Sequence, residues 1–207
     1  MNGVALVEHR RMRGRPRKNE GPDSAEILRA AIAAFARYGW EGTNLRQVAE
    51  TAGVDSSLII RRFDGKMGLW TAIVDHVSDR VRQAFDISDG GEPMERLAAA
   101  VDGFVRLNIE MPDLGRFFID QMARPGERRH YVIEKMWLGY KDALLPFVEA
   151  AHFTDDRRGI GQSTYIALLL GAITMPLLMR SVALGDLDDP AIRDRFVRDV
   201  TTLFVRG

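Results

Sequence analysis

Residues 43–66 read Thr-Asn-Leu-Arg-Gln-Val-Ala-Glu-Thr-Ala-Gly-Val-Asp-Ser-Ser-Leu-Ile-Ile-Arg-Arg-Phe-Asp-Gly-Lys. Asn44 stands where a helix needs its N-cap, and Gln47 three residues later completes a capping box. Leu45, Val48, Ala49 and Ala52 then recur at helical spacing on one face. Gly53 stops this helix, because glycine takes the left-handed conformation of a tight C-cap. Val54 fills the turn, Asp55 caps a second helix, and Leu58, Ile59 and Phe63 supply its buried side. Two short helices joined by a glycine turn make a helix-turn-helix, whose second helix enters the DNA major groove. Two core helices around a glycine turn would share much of this pattern. The outward positions are polar or basic here, which favours DNA binding over a core.

With the helix before it, this stretch resembles the DNA-binding domain of the TetR family of bacterial transcriptional regulators. Phe35, Gly39, Thr43, Val48, Ala49, Ala52-Gly53-Val54, Phe63, Lys66 and Leu69 carry the resemblance. It covers about residues 23–80; beyond them only helix pattern and length agree. The resemblance implies that Asn44, Arg46, Ser56, Ser57 and Arg61 face DNA, touching bases or phosphates. Lys66 opens the next helix, where free backbone N–H groups already attract an anion, so it is expected to anchor a phosphate. Two departures stand out. Ile60 and Arg61 replace the Tyr residues that the family usually carries before the positions of Arg62-Phe63, and Asp64-Gly65 replaces its Pro-Ser.

The chain has 207 residues, 46% of them apolar, which is enough for a sizeable core in one or two domains. No alternating strand pattern persists, so the expected fold is all-α with about nine helices. A flexible basic arm (1–22) would precede a three-helix DNA-binding domain (23–66) and a helical ligand-binding and dimerisation domain (67–207). There is no cysteine, hence no disulfide framework and no thiolate metal site. The N-terminus lacks the apolar segment of a signal peptide, so a cytoplasmic location is expected. Formal charge sums to zero, yet residues 1–66 hold 12 Lys/Arg against 8 Asp/Glu and the remainder 17 against 21. Such asymmetry suits one nucleic-acid module on a differently employed body.

Within the arm, Arg10-Arg-Met-Arg-Gly-Arg-Pro-Arg-Lys18 contains Gly14 and Pro16, which preclude a stable helix. Its Arg13, Arg15 and Arg17 can lie in a narrow A/T-rich minor groove beside a helix-turn-helix, or form a merely solvated basic tail. Asp23 with Glu26 reads as the cap of the first helix, which Gly39 ends, and Trp40 is expected under the three-helix core. Further helices are expected at 66–85, 94–110 and 113–123. A seventh helix carries the stripe Ile133, Trp137, Tyr140, Leu144 and Val148. The eighth, Tyr165 to Met179, is apolar on every side, too short for a confident membrane span, and needs more cover than one monomer offers. The ninth, about 189–205, has a seam of Ile192, Phe196, Val200 and Leu203. The resemblance implies that these last two helices pair with their mates, giving a homodimer through about 157–205.

Phe104 and Asn108, Phe118 and Met122, Trp137 and Tyr140, with Leu168 closing a wall, mix large apolar groups with few polar ones. That is the make-up of a small-molecule pocket, and since no cluster of Lys or Arg accompanies it, a neutral or weakly polar small hydrophobic ligand is expected. Mutual packing of the same residues is the plainer alternative. The four His are scattered, no H-E-x-x-H occurs, and His76 alone does not make a site, so neither a metal nor a cofactor is expected. No G-x-S-x-G or P-loop appears, and Gly159-Ile160-Gly161 lacks the third glycine of a dinucleotide fingerprint. An enzyme is therefore not expected. A ligand-responsive regulator binding an operator in double-stranded DNA accounts for both halves of the chain, and the helix at 66–85 would carry motion between them. A sequence-neutral architectural DNA binder is the alternative, but it leaves two-thirds of the chain without a task.

Overall fold

A computed structural model describes residues 22–85, 92–152 and 161–206. The basic arm with Arg13, Arg15 and Arg17, and most of the two expected breaks near 87–92 and 154–156, lie outside the described residues. Every described element is helical.

Helix α1 (Pro22–Gly42) opens one residue before the expected cap at Asp23. Proline suits that place because its missing N–H would be unsatisfied there anyway. Ile27, Ala31 and Phe35 are fully buried along one stripe. At Gly39 the backbone turns to φ 65°, ψ −174°, so the helix kinks there and one further turn runs to Gly42. The Thr43 hydroxyl donates to the Gly39 carbonyl at 2.7 Å, tying off the kink. Helices α2 (Leu45–Ala52) and α3 (Ser56–Phe63) follow with the expected caps. The Asn44 side chain accepts from the Gln47 N–H at 2.9 Å, and Gly53 takes φ 66°, ψ 29°.

Asp64 closes α3 in the left-handed region at φ 59°, and Gly65 follows at φ 91°. Proline is locked near −65° and cannot follow that path, which explains Asp-Gly where the resemblance suggested Pro-Ser. Helix α4 (Gly65–Phe85) buries Leu69, Trp70, Ile73, Val77 and Val81. It packs on α1 and α3 at one end and on later helices at the other, so the expected boundary at 66/67 falls where a shared helix begins.

The body holds α5 (Pro93–Glu110), α6 (Leu114–Ala123), α7 (Glu127–Val132), α8 (Gly139–His152), α9 (Gln162–Leu178), α10 (Arg180–Ala183) and α11 (Pro190–Thr201). A π segment, Ile133–Leu138, joins α7 to α8 without a break, and a second, Thr202–Arg206, extends α11. The first changes the expected stripe. Val132 and Met136 are buried where Ile133 and Trp137 were expected, and they line up with Tyr140, Leu144 and Val148. A π turn closes i→i+5 rather than i→i+4, which lets residues spaced by four keep one heading. The Ser78 hydroxyl of α4 donates to the Lys135 carbonyl inside this segment at 2.8 Å.

Register changes at the C-terminal end too. Phe196 and Val200 are buried, and α11 packs against α5 of the same chain, so much of that seam serves the monomer's own core. Leu203 is 63% exposed while Phe204 turns inward, its ring 5.9 Å from that of Tyr165.

Candidate nucleic-acid interface and apolar cavity

Buried residues hold the helix-turn-helix from behind. Val48 and Ala49 are buried on α2, which packs on α1, and Ile59 and Phe63 on α3, which packs on α4. The Arg62 guanidinium reaches back to donate to Ser24 Oγ at 2.8 Å, fixing α3 to α1. What remains outward on α3 is Ser56, Ser57, Ile60 and Arg61, with Ser56 half-buried and the other three exposed. Arg46 on α2 is exposed as well. Ser57, Ile60 and Arg61 therefore share the outer face of α3, and Arg46 is exposed on α2, which packs against it. Ile60 is the apolar member of that face, suited to contact a thymine methyl rather than a phosphate.

Two residues of the expected set have structural tasks first. Asn44 is the N-cap of α2, so Asn44→Ala should lower stability by about 1 kcal/mol in a denaturant titration. A smaller loss of stability together with a large loss of DNA affinity would make it a contact residue instead. Ser57 donates its N–H to Asp55 Oδ1 at 2.7 Å. Hydrogen bonds from the Ser57 hydroxyl and then from its N–H hold the Asp55 carboxyl below its ordinary range, with a smaller lowering from Arg61. This cap contributes at neutral pH and is lost as acidification passes the folded pKa.

Lys66 lies in the first turn of α4, half-buried, with its ammonium 4.7 Å from the centre of the Trp40 indole. Trp40 is not sunk under the core as expected. It is half-buried at the junction of head and body, stacked on Phe35 at 5.8 Å, with the Arg128 guanidinium 4.2 Å from the same ring. Nothing in the sequence linked residue 40 to residue 128, because that contact depends on how α7 is set against α1.

The body contains a cavity of about 210 Å³. Phe104, Asn108, Phe118, Trp137 and Tyr140 all line it, so the structure brings five of the seven expected pocket residues together. Met122 and Leu168 fall outside. Met122 packs against the core elsewhere on α6, and Leu168 points away on α9, 53% exposed. Sequence reading missed Met136, which the π segment turns inward, and Ala167, Leu170, Thr174 and Met175 of α9. It also missed Gly115: a methyl group there would sit 2.6 Å from Thr174 Cγ2, so its bareness lets α6 cross α9 at the cavity floor.

No Lys, Arg, His, Asp or Glu lines the cavity among the described residues. The Asn108 amide nitrogen donates to the Phe104 carbonyl at 2.9 Å, which satisfies part of a buried amide. The Tyr140 hydroxyl meets no protein hydrogen-bond partner, and burial pushes its pKa up, so it stays a neutral donor. Helix α4 contributes no residue to the wall but packs on α5 and α8, which do, whereas α6 contributes Leu114, Gly115, Phe118 and Ile119 directly. His76 sits away from this cavity in a polar cleft with Arg29 and Arg80. Burial first, and Arg80 second, lower its pKa and keep it neutral. No cluster of three His, Asp or Glu fit to hold a metal occurs among the described residues, and no described helix is long and apolar enough to cross a membrane.

Residues 27–73 match the family model for bacterial regulatory proteins, tetR family. The HTH-type transcriptional regulatory protein RaaS of Mycobacterium tuberculosis is 43% identical over 60 residues, which are 29% of this chain and 28% of that one. The chain thus matches less than half the length of its curated relatives. Among solved structures, the transcriptional regulator FadR from Bacillus subtilis in complex with stearoyl-CoA has a TM-score of 0.67 at 18% identity, covering 88% of this chain and 98% of that one. AibR in complex with isovaleryl coenzyme A and operator DNA has a TM-score of 0.69 at 16% identity, with 88% and 98% covered. These two likenesses extend the shared fold over the body as well as the head.

Proposed function

We propose that this chain, whose residues 27–73 match the tetR family model, is a DNA-binding transcriptional regulator of that family rather than an enzyme, and that it is a repressor released from its operator by a small hydrophobic molecule. One observation carries this reading. Helix α6 supplies one side of the apolar cavity with Gly115, Phe118 and Ile119, and the same helix packs along α1 of the DNA-binding head. At that seam Gly39 lies within 3.8 Å of the Asp120 carboxylate, counted from where its Cβ would stand. A ligand that wedges the cavity open displaces α6, and α6 is seated against the kink that ends α1.

Cavity size and chemistry bound the ligand. A cavity of 150 Å³ is known to hold benzene, so about 210 Å³ suits a body somewhat larger. Charged groups have no counter-ion within this wall and are excluded by their desolvation cost. FadR and AibR are described with acyl-CoA molecules; here the coenzyme's phosphates would find no cation in the cavity, and only a short acyl-like or aromatic body fits. The Tyr140 hydroxyl is the natural donor to one neutral acceptor on it.

The protein would act as a two-fold dimer in which two α3 helices stand about 34–36 Å apart, entering successive major grooves. A ligand that prefers a differently spaced dimer draws the population off DNA by its differential affinity. The test is protection of DNA near the protein's own gene, repeated with a panel of small neutral apolar compounds. A true effector should release the DNA and raise stability by about 2.7 kcal/mol at a hundredfold excess over its Kd. Trp137→Ala or Asn108→Leu should remove both responses while leaving DNA affinity within about twofold, since neither touches the head. Loss of DNA binding in both variants would mean that these residues hold the fold rather than the ligand.

A further inference from the structure

Trp40 gathers two cations at the junction of head and body. Lys66 Nζ and the Arg128 guanidinium carbon lie 4.7 and 4.2 Å from one indole centre, which leaves the two charges within about 9 Å of each other. Like charges at that separation are only partly screened by physiological salt. Six arginines, Arg29, Arg80, Arg82, Arg106, Arg124 and Arg195, each pair with an acid. Lys66 and Arg128 have no carboxylate partner among the described residues. The Arg128 Nε is buried without a hydrogen-bond acceptor, which commits its planar end to the indole face. Two cations without a carboxylate partner thus stand on one ring, placed to share an anion.

The anion's source follows from where the site stands. Lys66 comes immediately after the turn that closes α3, the helix that offers its outer face to a groove. A duplex carries one negative charge about every 1.7 Å along its axis, so phosphates flank that groove closely enough to meet a second cation beside the first. We propose that Arg128, a residue of the body rather than of the DNA-binding head, holds a backbone phosphate next to the one taken by Lys66, with Trp40 positioning both. The proposal rests on the reading of the protein as a DNA-binding regulator. Its consequence is mechanical. Arg128 belongs to the unbroken rod that further along carries Met136 and Trp137 into the cavity wall, so one element shares the grip on DNA and the contact with ligand.

Salt dependence separates this role from a purely structural one. Affinity for a cognate and a scrambled duplex is measured across a salt series with full-length wild type, Arg128→Ala, Arg128→Lys, Lys66→Ala and the double Ala variant. Each phosphate contact removed should flatten the slope of log K against log salt by about 0.9, so a dimer using both half-sites loses about 1.8 for either single Ala variant. The two losses should add in the double variant. Affinity should fall by a similar factor on both duplexes, and Arg128→Lys should keep the wild-type slope. An unchanged slope in Arg128→Ala overturns the proposal even if affinity falls, because a prop that only steadies Trp40 releases no counter-ions. A loss confined to the cognate duplex overturns it as well, by making Arg128 a base-reading residue. Failure of the underlying reading would look different: wild type itself would bind no DNA, or bind both duplexes alike.

Discussion

Gly68→Ala should abolish measurable operator binding and lower stability by about 3 kcal/mol, at the upper end of overpacking costs. Gly68 sits in the first turns of α4, beneath the end of α3. A Cβ built there falls on the carbonyl oxygen of Phe63 and 2.9 Å from its carbonyl carbon. Both obstructing atoms are backbone, so no rotamer change relieves the clash; α4 and the end of α3 have to part. Phe63 is 5% exposed and anchors α3 in the core, hence the parting tilts the face that carries Ser57, Ile60 and Arg61. Each base contact forfeited costs about 1–3 kcal/mol, and a dimer forfeits it at both half-sites. Helix propensity alone predicts the opposite sign, since Ala exceeds Gly by about 1 kcal/mol inside a helix. Gly139→Ala is the matched control, because a Cβ there meets only Ser78 Oγ at 3.9 Å. Chemical denaturation and DNA titration of the two variants decide the matter. A Gly68→Ala protein as stable and as tight-binding as wild type would mean that the α3–α4 junction has slack.

Local signals made the head legible. Asn44, Gly53 and Asp55 each do in the structure what their side chains or bare backbone allow anywhere, and so the caps and turn could be placed without tertiary knowledge. The close approach at Gly68 could not, because it depends on where α4 lies against the previous helix. Body helices were legible as helices from their periodicity, but their facing was not. The π segment at Ile133–Leu138 shifted burial from Ile133 and Trp137 to Val132 and Met136, and no residue type announces a π turn. The candidate cavity followed the same division. Phe104 and Asn108 lie on an undisturbed helix and came out together, whereas Leu168 lay on a helix apolar all round, where spacing cannot say which side faces inward.

That ambiguous helix carries the last large effect: in the two-fold dimer proposed above, Leu168→Asp should separate the subunits and lower affinity for a two-half-site operator by about a hundredfold or more. Helix α9 turns Tyr165, Ile166, Leu169, Leu170 and Ile173 into its own core. Its other side presents Leu168 and, just past its end, Met179, with Met175, which also borders the cavity, between them; each is about half exposed, and Val182 beyond them is 82% exposed. Gly171 lies between, with nothing within 4 Å of where a Cβ would be, so a second helix can approach closely there. Leu203, 63% exposed on the segment after α11, borders the same cleft as Leu168 and Gly171. A self-complementary face repeats every residue across a two-fold axis, so one Asp per chain places two carboxylates in one apolar interface. Neither would have a counter-ion, and each would lose hydration on burial. The monomer's own core is untouched, because Leu168 points away from it and lies outside the cavity. Sedimentation should therefore report a folded monomer with unchanged helicity and unchanged affinity for a single half-site. If Leu168→Asp still sediments as a dimer and keeps its operator affinity, the second copy docks on another surface and the spacing of the two α3 helices must be derived afresh.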